Sequence, residues 1–565
     1  MPASKIFKWI SVILPFILFA FLFIYSFQSR YTMTKLYAGF SYYIIFLLCI
    51  VWLFQFIRFL NHLDFALVKW VKACLPGIVV ALILTVMVFT SVPVKFKNLN
   101  DETNLMAVSQ SMLYHKEAYR ITMGKYYFGN LHPVGVAVPN RPLLFPFVTH
   151  LVHSVLGYRY QNVFILNFLI MFFFLTGVYA AGQKATDAYS ALAAVILVLT
   201  YPVFTIYGTS GGYDLFSTFF FAIVMTVLYR FLKSPNPEGF AFLWISLLMF
   251  SNIRYESCIF IFIILIASTK YIKLQYIKSH SYVFTLTPLL SLPFIWQRFL
   301  SIGTYENPEG AALFSIQSFL KHGKIFWENY LNLPLDLPYA GLLNIAALGI
   351  IGYLIKQILT KKLVLKPYQT YFACILAGCL ATMLVIVLSH HLGRFDHPTQ
   401  ARLFMYFCVL ASLAPIFLKN LTPGWITGKK LLIASVLMFL FYHPIAVEHR
   451  FINSLLSTRL HHQSRSYIDA LNDRNVLIIT AYAGQFTSMN YGAVTFYYAN
   501  QNAATLVDEL QKHLYSKIIV IQEMDSSTNL PKWTNQRLGP GFKLKTLHTI
   551  QVIKGVYLRF SSVVI

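Results

Sequence analysis

Apolar runs separated by short polar turns recur from residue 10 to residue 446. About 20 apolar residues in a helix, rising about 1.5 Å each, cross the roughly 30 Å of hydrocarbon in a bilayer. The pattern predicts thirteen membrane-spanning helices, at 10–27, 37–57, 75–94, 161–181, 188–206, 214–232, 240–253, 256–269, 281–299, 339–356, 369–390, 403–418 and 429–446. Lys5 and Lys8 precede the first run as in a signal peptide, but no small-residue cleavage site follows Phe27, so 10–27 is read as a retained span. Two stretches decide the number. PLLFPFVTHLVHSVLG at 142–157 is apolar but short, and Pro142, Pro146, His150 and His153 make it a re-entrant or interfacial helix on the outer side. The run 240–269 is interrupted by Asn252, Arg254 and Glu256, which splits it into two short helices meeting at the outer face.

Two segments between spans carry a different helical pattern. Leu105, Val108 and Met112 share one face while Ser109, Gln110 and Glu117 lie elsewhere, which predicts an amphipathic helix along the membrane interface. Asn100 or Asp101 is placed to cap it. SIQSFLKHGKIFWENYL at 315–331 predicts a second such helix. Both lie in long loops, 95–160 and 300–338, that read as a roof over a cavity. Beyond about residue 470 the period changes: VLIIT (476–480), TLVDELQKHL (505–514) and KIIVIQ (517–522) read strand, helix, strand, a small soluble α/β domain.

Composition agrees with a membrane chain, since 57% of the 565 residues are hydrophobic and only 12% charged. The 45 Lys and Arg against 20 Asp and Glu give a net charge of +25, which in a soluble protein would suggest nucleic acid. Here the cations sit mostly in turns between apolar runs, where lipid phosphates meet them, and no nucleic-acid partner is expected. With the N-terminus in the cytoplasm, Lys5/Lys8, Arg58/Lys69/Lys72, Lys184, Arg230/Lys233, Lys270/Lys273/Lys278, Lys356/Lys361/Lys362/Lys366 and Lys419/Lys429/Lys430 all fall on that side. The loops 95–160 and 300–338 and everything after 447 then lie outside. The six cysteines lie within or beside apolar runs without ligand spacing, so neither a disulfide framework nor a zinc site is expected.

Charges are scarce, so those near the outer face carry the candidate chemistry. Asp101 and Glu102 follow the third span. A carboxylate there removes a proton from an acceptor hydroxyl if it sits close to it, and the same residues suit a helix cap equally well. Arg141, in Asn140-Arg141-Pro142, offers a planar fork of donors for phosphate oxygens or for a lipid headgroup. GTSGGYD at 208–214 ends in Tyr213 and Asp214, a glycine-rich turn open to close backbone approach or simply a turn with a capping acid. Arg254 and Glu256 flank Tyr255 at the helix break, free to pair with each other. HHLGRFDHPTQAR at 390–402 gathers His390, His391, Arg394, Asp396, His397 and Arg402; a polar surface turn ranks ahead of a metal site.

A carboxylate pair after the first core span, interfacial helices, Arg141-Pro142-Leu143 before a short apolar helix, Tyr213-Asp214 at a later outer turn and a final soluble domain together resemble the GT-C superfamily of membrane glycosyltransferases, in particular its protein mannosyltransferase and aminoarabinose transferase branch. The resemblance implies a polytopic α-helical membrane protein of about 13 transmembrane helices with a GT-C-like core at 75–446. Two extra spans precede it in 1–74, and a small extracytoplasmic α/β domain follows at 447–565. It implies Asp101 as the base, with Glu102 its neighbour, and Arg141 as a ligand of donor phosphate; Arg254 and Arg394 become candidate second phosphate contacts, and Tyr213 and Asp214 candidate substrate contacts. Tyr213-Asp214-Leu215-Phe216 departs from the D-x-E or D-x-D pattern of metal-using oligosaccharyltransferases, and one acid gives a divalent cation too few ligands. The expectation is transfer without metal or other cofactor, from a polyprenyl-phosphate sugar to a hydroxyl-bearing glycan, lipid or protein acceptor, with inversion, at the outer face of a bacterial inner membrane.

The main rival is a lipid or sugar-lipid flippase without transfer chemistry. Transporters place polar groups near the bilayer midplane on broken helices, and only the Asn252–Glu256 break resembles such a site. A scaffold whose soluble tail recruits partners accounts for the tail but not for the outer loops.

Overall fold

In the computed structural model each of the thirteen predicted spans falls on helix. The structure describes residues 3–127, 129–301, 312–333, 337–421, 427–448 and 450–564, so parts of the loop read at 300–338 lie outside the described residues. Nine described helices are long and apolar enough to cross a membrane, and a bent pair makes a tenth. Shorter apolar helices cover Ile13–Ser26, Leu144–Leu156 and Pro237–Ser251. The chain is a multi-pass membrane protein.

Residues form two compact units. The helical unit takes in Met1–Lys95, Asn140–Phe145 and Phe164–Phe451. Its helices start where the sequence supplies caps: Ser29, Asp187 and Asn236 each accept a backbone N–H of the first turn of the following helix, and Pro237 adds a first-turn residue that needs no partner for its nitrogen. The span expected at 188–206 is broken. Ala188–Leu199 and Pro202–Gly208 meet at 74°, because Pro202 supplies no N–H and drives Tyr201 into an extended conformation.

Hydrophobicity does not hold helices together inside lipid, so packing and polar contacts must. Trp52 donates to Ser246 at 3.1 Å, and Phe59 stacks on Phe242 with centroids 5.0 Å apart. Buried Tyr201 donates to Asn344 at 2.7 Å, while Asn344 donates to the Tyr330 carbonyl at 2.8 Å. A Cβ at Gly77 would stand 2.0 Å from the Tyr179 ring, so glycine sets how closely those helices approach. The predicted helix after residue 315 is present as Ile316–Tyr330 and buries His322, Phe326 and Asn329. Ile316, Leu320 and Trp327 on its other side are exposed, as an interfacial helix requires.

The second unit comprises Phe96–Pro139, Pro146–Val163 and Ile452–Ile565. Its seven-stranded sheet has the order β2-β1-β4-β3-β5-β7-β6. The strands are β1 (Arg120–Tyr127), β2 (Asn130–Ala137), β3 (Val476–Ile479), β4 (Gly492–Val494), β5 (Lys517–Asp525), β6 (Lys543–Ile553) and β7 (Val556–Val564). β4, β3 and β5 are parallel and central, and every residue of β3 is buried, as a strand covered on both faces should be. The strand-helix-strand reading of the tail is present as β3, the helix Ala503–Gln511 and β5. It lacks β4, β6 and β7 of the tail, and also the hairpin β1–β2, contributed by the loop after the third span and turned through Gly129 at φ +82°. The soluble unit is thus assembled from three chain segments, not from the tail alone.

The helix expected to lie amphipathically along the interface is Leu99–His115, and it is a core element of this unit. Ser109, Gln110 and Ser111 are as buried as Leu105, Val108 and Met112. It packs on β1 and on the helix Ala483–Thr487, and its polar residues find internal partners: Gln110 donates to the Thr487 carbonyl at 3.3 Å and Ser111 to the Glu117 carbonyl at 2.8 Å. Polar side chains mark an interface helix only if water receives them; here protein does.

Candidate active site

In the soluble unit the acid pair occupies the first turn of Leu99–His115. The cap position is Asn98, ahead of the Asn100 or Asp101 that spacing suggested. Glu102 performs the capping. Its buried carboxylate accepts the backbone N–H of Asn98 at 2.8 Å and that of Lys97 at 3.1 and 3.2 Å. Asn100 is pinned by the Gln485 amide at 3.1 Å, and His462 contacts the Phe96 carbonyl at 3.2 Å. This turn is therefore held from several sides. Asp101 remains half-buried and accepts from the Asn98 side chain at 3.2 Å.

In the helical unit, Tyr213 and Asp214, read from one turn, and Arg254, read from a separate helix break, come together, and Arg402 joins them. Asp214 opens the helix Asp214–Lys233. Arg254 donates to its Oδ1 at 2.6 Å and Arg402 to its Oδ2 at 3.4 Å. Both guanidiniums also lie over the Tyr213 ring, 5.0 and 5.9 Å from its centroid. The glycine-rich turn before Asp214 is fixed by Asn167, whose amide donates to the carbonyls of Ser210 and Gly212 at 2.7 and 3.0 Å.

The break predicted between two short helices runs from Asn252 to Ser257. Arg254 meets Glu256 through two 3.4 Å contacts, so the self-pairing alternative is present beside the shorter bond to Asp214. Burial alone would raise the Glu256 pKa, but the charge and hydrogen bonds of Arg254, a backbone hydrogen bond and the charge of Arg141 hold its carboxyl below the usual range. The Asn252 carbonyl accepts the Leu144 N–H at 3.0 Å, tying the Arg141-Pro142 segment to the break. Arg141 donates to the Tyr255 hydroxyl at 3.1 Å, and its guanidinium lies 5.7 Å from that ring's centroid. Arg298, exposed at the end of the helix Ser281–Ser301, lies 5.4 Å from the same ring. No carboxylate among the described residues pairs with Arg298.

Arg394 stands apart, paired to Asp396 at 2.6 Å and half exposed. His390 lies where Glu256 and Arg141 influence it; burial, then His391, pushes its pKa down to about 4. Among the described residues no group of three or more His, Cys, Asp or Glu is placed to hold a metal ion.

Arg298 and Arg402 were not singled out as site residues, although a signal existed. Both lie at the outer ends of predicted spans, where the positive-inside pattern leaves an arginine without a topological reason.

Residues 140–296, which carry Arg141, Asp214 and Arg254, match the family model of dolichyl-phosphate-mannose-protein mannosyltransferase. No curated protein sequence matches the chain significantly. Among solved structures, ArnT from Cupriavidus metallidurans bound to undecaprenyl phosphate is 11% identical at a TM-score of 0.47, over 88% of this chain and 98% of its own. The apo oligosaccharyltransferase of Archaeoglobus fulgidus is 10% identical at a TM-score of 0.42, over 80% and 69%. Likeness this distant fixes neither substrates nor residue roles. The resemblance to the GT-C membrane glycosyltransferases carried by the sequence motifs is met by the family model across residues 140–296.

Proposed function

We propose that the chain transfers a sugar from a polyprenyl-phosphate carrier to a hydroxyl-bearing acceptor on the extracytoplasmic side of a bacterial inner membrane, with inversion at the anomeric carbon. The observation that carries this reading is the pair Arg141 and Arg298 set against one aromatic ring, Tyr255, at a helix break in or beside the stretch that the family model matches. Two guanidiniums sharing an aromatic neighbour favour an anion between or beside them, and arginine's fork suits phosphate oxygens. Arg254 and Arg402 share the carboxylates of Asp214 and Glu256, whereas no carboxylate among the described residues pairs with Arg298, which makes Arg298 the stronger candidate for a phosphate ligand beside Arg141.

During transfer the bond from the anomeric carbon to the carrier phosphate breaks, and the acceptor oxygen bonds that carbon from the opposite face. The phosphate leaves with the bonding electrons, and cations held in place stabilise that charge as it forms. The acceptor's proton goes to Asp101, while its neighbour Glu102 accepts the backbone N–H groups of Lys97 and Asn98. No metal takes part in this reading: Asp214, the acid at the turn where metal-using relatives are expected to hold a cation, has both oxygens engaged by arginines.

The test uses purified protein in proteoliposomes. Undecaprenyl phosphate, the lipid held by the ArnT structure named above, serves as the binding probe. Arg141→Ala and Arg298→Ala should each weaken its binding about tenfold or more, and Arg298→Lys should recover only part of the loss. Unchanged binding in both alanine variants refutes the phosphate site. Movement of lipid across the bilayer without sugar transfer, with a full panel of donors, returns the chain to the flippase reading.

A further inference from the structure

The soluble unit contains a small cavity that the transfer reading does not use; Leu460, Phe486, Ile521 and Leu558 make most of its surface apolar, and a few polar groups reach into it. Its walls include His461 and Ser464 of the helix Leu456–Ala470, Thr480 directly after β3, Gln485 of the helix Ala483–Thr487, Glu523 of β5 and Gln536. From β3 the chain passes to β4 on one side and then to β5 on the other. The carboxyl ends of β3 and β5 therefore part at the point where strand order reverses, the place where open α/β sheets form binding crevices. The inner space measures about 10 Å³, room for one water or one hydroxyl group.

The groups around it define what fits. Glu523, 5% exposed, accepts from Tyr482 at 2.9 Å, Gln536 at 3.1 Å and Trp533 at 3.2 Å. A carboxylate has about four lone-pair directions, so one acceptor position remains. No cation among the described residues pairs with this carboxylate. His461 is 3% exposed and faces Gln485, whose side chain is near enough to act on the ring, yet neither ring nitrogen nor the Gln485 side-chain oxygen completes a hydrogen bond of good geometry. Burial first, then His462 and Arg465, pushes the His461 pKa down to about 3, so the ring is neutral and offers one donor and one acceptor. Buried polar groups left in this state call for a guest that both donates and accepts. Anions are disfavoured by Glu523. Tyr482, which lines the cavity, is 37% exposed, and Trp533, which donates to the same carboxylate from beyond the lining, is 51% exposed.

We propose that this cavity is a saccharide subsite: one hydroxyl of a neutral sugar enters between His461, Gln485 and Glu523, while the sugar's apolar face rests on Tyr482 or Trp533. The site requires no lipid donor, so its test is binding alone and stands apart from the transfer reading. The full-length protein in detergent is titrated with methyl mannoside, methyl glucoside, methyl galactoside and a neutral oligosaccharide, read by saturation-transfer NMR. Saturable binding of at least one is expected. It should fall about tenfold or more in Glu523→Gln and in Trp533→Ala, while Lys324→Ala, at an exposed ion pair, leaves it unchanged. Thermal unfolding, followed alongside, should leave Trp533→Ala close to the parent. Absence of binding by all four sugars overturns the proposal and leaves the cavity to structural water. Equal binding in the parent and both variants, or displacement of the sugar by inorganic phosphate, overturns it too.

Discussion

Arg254 and Asp214 meet at 2.6 Å with both side chains closed to solvent, 4% and 3% exposed. They come from the helix break and from a turn 40 residues earlier, so one ion pair fixes two elements that sequence separates. Removing one member of a buried pair strands the other's charge and typically costs about 3–5 kcal/mol. Asp214→Asn takes the charge of this carboxylate from Arg402 as well as from Arg254, leaving Glu256 beside Arg254. This variant should lower the thermal unfolding temperature in detergent strongly. Arg394→Ala, which breaks an exposed pair of the kind worth about 0–1 kcal/mol, should shift it little. Equal shifts for the two variants would contradict a structural role for Asp214.

The two acids at the start of Leu99–His115 should separate cleanly. Asp101→Asn keeps the shape and accepts from Asn98 as before, but an amide is no base for an acceptor hydroxyl. We expect normal insertion, normal donor-lipid binding and transfer reduced by about 10² to 10⁴. Glu102→Gln weakens a charge-assisted cap on Lys97 and Asn98, so its effect should appear first as lost stability of the soluble unit, with a smaller loss of transfer. Near-normal transfer by Asp101→Asn with inactive, stably folded Glu102→Gln would move the base by one residue.

Chelation bears on the metal. Because arginines occupy both Asp214 oxygens, sugar transfer should survive EDTA largely intact. Complete loss, restored by Mg²⁺ or Mn²⁺, would overturn the metal-free reading.

Sidedness is open to cysteine labelling. The basic turns on one side place residues 95–160, 300–338 and 447–565 on the other. In a background stripped of native cysteines, Ser526→Cys, in an exposed turn after β5, and Ser318→Cys, on the helix Ile316–Tyr330, should react with an impermeant reagent in intact cells. Protection of either site would reverse the orientation.

Hydrophobic periodicity by itself determined the positions of the membrane helices, the break around Arg254 and the strand-helix-strand core of the tail, because each is a local consequence of side chains choosing lipid, protein or water. The motif Arg141-Pro142 and the acids at 101, 102 and 214 were likewise legible, since charges beside apolar runs are few. Tertiary structure alone decided what those charges do. Asp101 and Glu102 are adjacent in sequence, yet Glu102 takes the backbone N–H groups of Lys97 and Asn98 while Asp101 accepts from the Asn98 side chain, a difference set by where each carboxylate points from the helix. Arg298 and Arg402 join the cluster through rings and carboxylates far along the chain. The hairpin β1–β2 entered the sheet for the same kind of reason: its strands, with Gly124 and Pro133, show weak alternation, and their edge is satisfied only by β4, more than 350 residues away, as Gly124 opposite Ala493. Long-range pairing of this sort leaves no periodic mark in either partner, because what it satisfies is the backbone, and every residue has one.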